Sequence, residues 1–177
     1  MRFRDKTALV TGSGRGIGKA TAMMMGKEGA NVVFNDVSDD LLARANNDAN
    51  EAGIDALTVK ADVTKRNEVK AMVEKTIERF GTIDILVNNV GGSQGTSRFT
   101  EEISVDVWRR IIDFCITSQF LCCQAVVPIM QAKKYGRIVN VSSVAGPFGE
   151  PLIWSPSYSA AKSGVCAMVR QLALELG

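Results

Sequence analysis

The sequence predicts an α/β fold, a doubly wound parallel sheet in three Rossmann-like layers, and three observations carry that expectation. Short apolar runs alternate with helical patterns along all 177 residues. The runs are apolar nearly throughout, as strands covered on both faces must be. A glycine-rich turn, Thr11-Gly12-Ser13-Gly14-Arg15-Gly16-Ile17-Gly18, lies between the first run and the first helical pattern, where right-handed strand-to-helix crossovers place a phosphate. The length suits a single domain over 1–177, and no repeat, low-complexity tract or linker interrupts it.

Each element follows from local signals. Thr7–Thr11 is the first strand and Gly16–Gly29 the first helix, ending at a glycine. Asn31–Asp36 is the second strand. Ser38-Asp39-Asp40 offers cap chemistry for a helix through Ala52, stopped by Gly53. Ala56–Ala61 is the third strand, Thr64 caps a helix over Lys65–Phe80, and Gly81 ends it. Ile83–Asn88 is the fourth strand and Gly91–Thr100 a loop. One long helix runs from Ser104 to Lys134, with Pro128 as a kink point. Arg137–Ser142 is the fifth strand, Gly146–Pro156 a loop with three prolines, and Ser157–Leu176 the last helix.

Composition excludes several functions. There is no histidine, so a Ser-His-Asp triad and imidazole base catalysis are out, and no metal site is expected. A net charge of +2 does not suit a nucleic-acid surface. No uninterrupted apolar run reaches the roughly 18–20 residues of a membrane span, and no signal-peptide pattern opens the chain. The four cysteines form no C-x-x-C pair, which fits reduced thiols and a cytoplasmic location.

In the glycine turn, Gly12 permits the tight exit from the strand, Gly16 lets the backbone approach a pyrophosphate, and Gly18 lets helix and strand pack closely. The helix start then offers N–H groups and a positive dipole end to the phosphates. Asp36 ends the second strand, 18 residues after Gly18. A carboxylate there binds adenosine ribose hydroxyls and repels a 2′-phosphate, which favours NAD over NADP. Arg15 is the opposing signal, because a guanidinium pairs with that phosphate, so NADP stays open.

The Thr-Gly-x-x-x-Gly-x-Gly spacing resembles the short-chain dehydrogenase/reductase family, and the resemblance runs over essentially the whole chain. In that family Ser13, Arg15 and Ile17 fall in the cofactor-binding turn. Asp62-Val63 resembles the adenine-contacting pair after the third strand. Asn88-Asn89-Val90-Gly91 resembles the Asn-Asn-Ala-Gly motif, so Asn89, Val90 and Gly91 are implied to border the cofactor. Ser143, Tyr158 and Lys162 match the catalytic serine and the Tyr-x-x-x-Lys motif. The resemblance implies a 3-oxoacyl-ACP reductase-like member.

The chemistry of those three residues can be written out. Tyr158 and Lys162 are four apart on a helix and share a face. A phenol with a pKa near 10 is a poor base, but a nearby ammonium lowers it. Tyr158 then takes the proton of an alcohol as hydride leaves carbon, and returns it in the reverse reaction. Ser143 hydrogen-bonds the reacting oxygen, and the resemblance implies that Lys162 also binds the nicotinamide ribose.

Three departures stand out. The family's catalytic asparagine falls seven residues after Trp108, at Cys115, a weak hydrogen-bonding group read as a small core residue. Ser143 and Tyr158 are 15 residues apart, with the added length in Phe148–Pro156, where Phe148 and Trp154 are pocket-wall candidates. The chain stops at Gly177, whereas family members continue with two more strands, a Pro-Gly loop and a substrate lid. The resemblance therefore implies a partial chain, with weak cofactor binding or no turnover. The expected function is an NAD(P)-dependent oxidoreductase that interconverts a secondary alcohol and a ketone. The alternative is a non-catalytic nucleotide-binding or oligomerisation module. A small-molecule substrate and a homodimer or homotetramer are expected. The apolar faces holding Phe120, Leu121, Val126 and Val127, and Val165, Met168 and Leu172, supply the contact.

Overall fold

The computed structural model describes residues 1–148 and 155–177. Its strands are β1 (Thr7–Val10), β2 (Asn31–Asp36), β3 (Ala56–Lys60), β4 (Ile85–Asn88) and β5 (Arg137–Asn140). Its helices are α1 (Gly16–Lys27), α2 (Asp39–Glu51), α3 (Arg66–Phe80), α4 (Val105–Ile112), α5 (Ser118–Ala132), α6 (Ala145–Phe148) and α7 (Pro156–Leu176). They group into two compact units: Met1–Asn89 with Leu121–Val139, and Val90–Phe120 with Asn140–Gly177.

The first unit is built on a five-stranded sheet of order β3-β2-β1-β4-β5. β1 pairs in parallel with β2 and β4, and β2 with β3. The chain therefore reverses its direction of travel across the sheet between β1 and β4, where a doubly wound sheet opens its ligand crevice. Strand pleating sorts the core. Ala8, Val10, Val32, Phe34, Ile85 and Val87 pack with Ala22 and Met25 of α1 and Leu42, Ala45 and Ala49 of α2. Leu9, Val33 and Leu86 alternate with them and are equally buried. Below the sheet's other end, Asp84 accepts from Thr7 N (2.9 Å) and from Lys133 Nζ (2.6 Å), which fixes the start of β4.

Several local readings change. Ser38 caps α2 by accepting from Leu41 N, as its position predicts. Thr64 does not cap α3: Lys65 occupies that place without a side-chain cap, and Thr64 bonds Asp62 instead. A Thr placed two residues after an Asp closes an Asx-type turn more readily than it reaches the helix. Gly81 ends α3 in the left-handed region, φ 74°.

The predicted single helix from Ser104 to Lys134 is interrupted, and the interruption is not at Pro128. A π turn over Asp113–Thr117 separates α4 from α5, and Pro128 lies inside α5. The run Val105–Ala132 is long and apolar enough to cross a membrane by length and composition alone. Soluble core helices pass the same test, and Ile111, Cys115, Cys122, Cys123 and Val126 are buried in the protein.

In the second unit, Ile111 and Cys115 pack with Ala145, Tyr158 and Ala161. Ser155 caps α7 by accepting from Tyr158 N, with Pro156 in the first turn. Part of the expected proline loop is the short helix α6. Trp154 lies outside the described residues, and Phe148 is 86% exposed.

Candidate active site

The first unit holds the glycine turn. Gly12 and Gly16 have φ of 61° and 60°, which only glycine adopts freely. A Cβ on Gly18 would fall 2.5 Å from Gly12 O and 2.6 Å from Asn89 Nδ2, so the close packing expected of Gly18 is present. Asn89 fastens the turn from the end of β4, with Nδ2 donating to Thr11 O and Gly12 O, both at 3.1 Å. Ser13 is buried, with Oγ donating to Val10 O at 2.6 Å. Among the described residues, no side chain caps the first turn of α1. Arg15 and Ile17 are exposed beside it. A Cβ on Gly16 would meet nothing within 4 Å. An uncapped helix start, behind a turn with open space above it, fits a pyrophosphate.

Asp36 faces the same turn. Its Oδ2 accepts from Gly14 N (3.2 Å), and its Oδ1 from Val37 N (2.8 Å) and Ser38 N (3.2 Å). Carboxylate oxygens each carry two lone pairs, so Oδ2 retains capacity for a ribose hydroxyl. Gly14 drew no notice in the sequence, yet a Cβ there would lie 2.8 Å from Asp36 Oδ2 and 2.7 Å from Leu41 Cβ. Nothing in a run of alternating glycines marks the one that a carboxylate needs.

Asp62 is engaged locally. Its Oδ1 accepts from Thr64 N and Oγ1 at 3.0 and 2.7 Å. Lys65 Nζ stands 3.6 Å from Oδ2. Burial pushes its pKa up, but the Thr64 bonds and the Lys65 charge together carry it below the usual value. Val63 is buried.

The second unit brings Ser143, Tyr158 and Lys162 together. The Ser143 hydroxyl hydrogen-bonds the Tyr158 phenol, and Lys162 Nζ lies 5.9 Å from the Tyr158 ring centroid. Ser143 Oγ also accepts from Ala145 N at 3.2 Å, which fixes its direction. Lys162 is 2% exposed and donates to Val141 O at 2.6 Å. A Cβ on Gly91 would fall 2.7 Å from Lys162 Nζ, so this glycine makes room for the ammonium.

The electrostatics differ from the expectation that Lys162 lowers the phenol's pKa. Burial raises the Tyr158 pKa, the Ser143 bond opposes that rise, and Cys115 adds to it. Burial also depresses the Lys162 pKa, against smaller opposing effects of Cys115 and Cys166. Both groups have left water, and desolvation disfavours each charged form.

Two further polar groups escape sequence reading. Gln119 is buried and donates from Nε2 to Val141 O at 3.2 Å. Thr96 Oγ1 donates to Ser155 Oγ, which also bonds Ser157 Oγ, each at 2.9 Å. These hydroxyls hold the start of the helix that carries Tyr158.

The sequence matches the family described as short chain dehydrogenase over residues 6–177. It is 39% identical over 176 residues to a 3-oxoacyl-[acyl-carrier-protein] reductase from Synechocystis sp., covering 97% of this chain and 68% of that protein. It is 40% identical over 174 residues to a cis-4-hydroxycyclohexanecarboxylate dehydrogenase from Sinomonas cyclohexanicum, covering 97% of this chain and 68% of that one. Among solved structures it is similar to levodione reductase, with TM-score 0.92 and 35% identity over 98% of this chain and 67% of the other. Actinorhodin polyketide ketoreductase with NADPH gives TM-score 0.89 and 33% identity over 97% and 65%.

Proposed function

The chain belongs to the short-chain dehydrogenase family, and from that premise we propose that it is a nicotinamide-dependent oxidoreductase that interconverts a secondary alcohol and a ketone. The observation that carries this reading is that one unit holds Ser143, Tyr158 and Lys162 together, with Lys162 Nζ 5.9 Å from the phenol ring and Ser143 opposing the rise of the phenol's pKa. In the first unit, Gly12, Ser13, Arg15, Gly16, Ile17 and Gly18 hold the pyrophosphate. Asp36 takes the adenosine ribose, Asp62 and Val63 border the adenine, and Asn89 braces the turn. In the second unit, Val90 and Gly91 border the nicotinamide side and Lys162 holds its ribose. Asp36 favours NAD over NADP, since a carboxylate on three backbone N–H groups has no room to withdraw from a phosphate.

When bound, the nicotinamide accepts or gives the hydride. Ser143 donates to the substrate oxygen and fixes it beside Tyr158. Tyr158 takes the hydroxyl proton as the carbon becomes a carbonyl, and returns it on reduction. Burial keeps the phenol protonated in the resting chain, which readies it as the acid for ketone reduction. Oxidation needs the phenolate, and the group that opposes the rise of the Tyr158 pKa is the Ser143 hydroxyl.

Cyclic alcohols and 3-oxoacyl thioesters are the substrate classes to try first, because relatives named for both are similar to this chain at comparable identity. Self-association is the second part of the reading. Leu121, Val126 and Val165 are buried within the chain, while Val105, Trp108, Phe120 and Val169 stay exposed on the second unit. The test is NADH binding by fluorescence, followed by turnover on that panel. Tyr158→Phe is expected to keep NADH binding within about twofold and lower kcat by about 10²–10⁴. Unaltered turnover in Tyr158→Phe overturns the reading, and cofactor binding without turnover on any substrate favours a binding module.

A further inference from the structure

Lys162 lies against two stretches of backbone, and one helical segment reaches both. The first stretch is Gly91–Gly92. Cys115 Sγ both accepts from Gly92 N and donates to Gly92 O, each at 3.4 Å. The same Cβ position on Gly91 that falls 2.7 Å from Lys162 Nζ falls 3.8 Å from Cys115 Sγ. Thiol and ammonium therefore converge on one glycine. The second stretch is Val141, whose carbonyl accepts from Lys162 Nζ at 2.6 Å and from Gln119 Nε2 at 3.2 Å. Cys115 and Gln119 are four residues apart, the first inside the π turn and the second just beyond it.

We propose that Cys115 and Gln119 are positioning residues for Lys162, the thiol by holding Gly92 and the carboxamide by aiming the Val141 carbonyl. The proposal rests on the reading of Lys162 as part of the proton-handling site. A carbonyl oxygen has two lone pairs. With one given to the Gln119 amide, the peptide plane is fixed and the other is aimed at the ammonium. Gly92 is bonded at both its N–H and its C=O by a single sulfur, so its peptides cannot rotate without losing both contacts. The neighbouring Gly91 then stays at the distance that Nζ requires. Among the described residues, Tyr158 and Cys166 are the other titratable groups beside the ammonium.

The experiment is a pH titration of Lys162 by NMR with carbon-labelled lysine, without cofactor or substrate, its signal assigned by its loss in Lys162→Arg. Cys115→Ala removes a group that holds the ammonium's pKa up, and the near-isosteric Gln119→Met frees the Val141 carbonyl that stabilises the charged form. Each variant is expected to move the Lys162 titration down by about half a pH unit or more. Cys115→Ser, which keeps a donor and acceptor, is expected to restore most of the wild-type value. In turnover assays kcat falls about tenfold in the first two variants. If Cys115→Ala does not fold, Cys115→Val fills the space without hydrogen bonds and carries the same expectation. An unchanged Lys162 titration in either the Cys115 or the Gln119 variant overturns the proposal. Because that titration needs no turnover, its failure is distinct from a failure of the oxidoreductase reading, which Tyr158→Phe tests.

Discussion

Lys162 is a buried ammonium with a depressed pKa, held by a carbonyl and the absence of a Cβ on Gly91. Such a group costs stability that the fold recovers elsewhere. Lys162→Met, close in shape, is expected to raise stability at neutral pH by about 1 kcal/mol while abolishing turnover. Chemical denaturation checks the first and an activity assay the second. The pH dependence has a definite sign. Because the folded pKa is the lower one, the unfolded chain binds the proton over a window where the folded chain has released it. In that window, below the ordinary lysine value, the wild type gains stability as pH rises, so its deficit against Lys162→Met closes. At Asp36, Asp36→Asn keeps one acceptor oxygen for Val37 N and Ser38 N, gives up the acceptor facing Gly14 N, and removes the charge. The ratio of NAD to NADP affinity is expected to fall about tenfold, measured by cofactor titration. Tyr158 and Lys162 were legible as a pair because their spacing places them on one helical face. The sign of the phenol's shift was not, because it depends on how much water the packing removes. Gln119 was invisible for a related reason: a glutamine in an apolar helical run reads as an exposed position until its neighbours are known.

The elements were legible where a local signal decides them. β2, the Ser38 cap and the Gly81 stop appear as predicted because a short apolar run, a hydroxyl before acidic residues and a left-handed glycine each act within a few residues. The π turn was not legible, since no residue type encodes it and it arises from what Asp113–Thr117 must pack against. At the start of α7, Ser155 accepts from Tyr158 N and bonds two further hydroxyls while fully buried. Ser155→Ala removes the cap and strands its partners, so a loss of ~1–2 kcal/mol is expected in denaturant melts. The same variant is expected to lower kcat, because Tyr158 sits in the first turn that the cap anchors.

At the scale of the whole molecule, the doubly wound sheet was legible from the alternation of apolar runs with helical patterns and from the glycine turn, whereas the strand order and the grouping into two units were not. The second unit is assembled from two separate stretches of chain, and sequence periodicity reports neighbours along a chain rather than across it. The exposed Val105, Trp108, Phe120 and Val169 predict a concentration-dependent oligomer. Sedimentation velocity is expected to show a dimer or larger species, and Trp108→Glu with Phe120→Glu to shift it toward the monomer. The π turn also sets how this gene can vary over time. A helix advances about 100° per residue, so gaining or losing one codon between Asp113 and Thr117 would swing everything on one side of the change around the axis. Point changes there alter one contact, while a change in length would turn Cys115 and Gln119 to different faces, so lineages carrying this helix are expected to differ in its letters but to agree in its count.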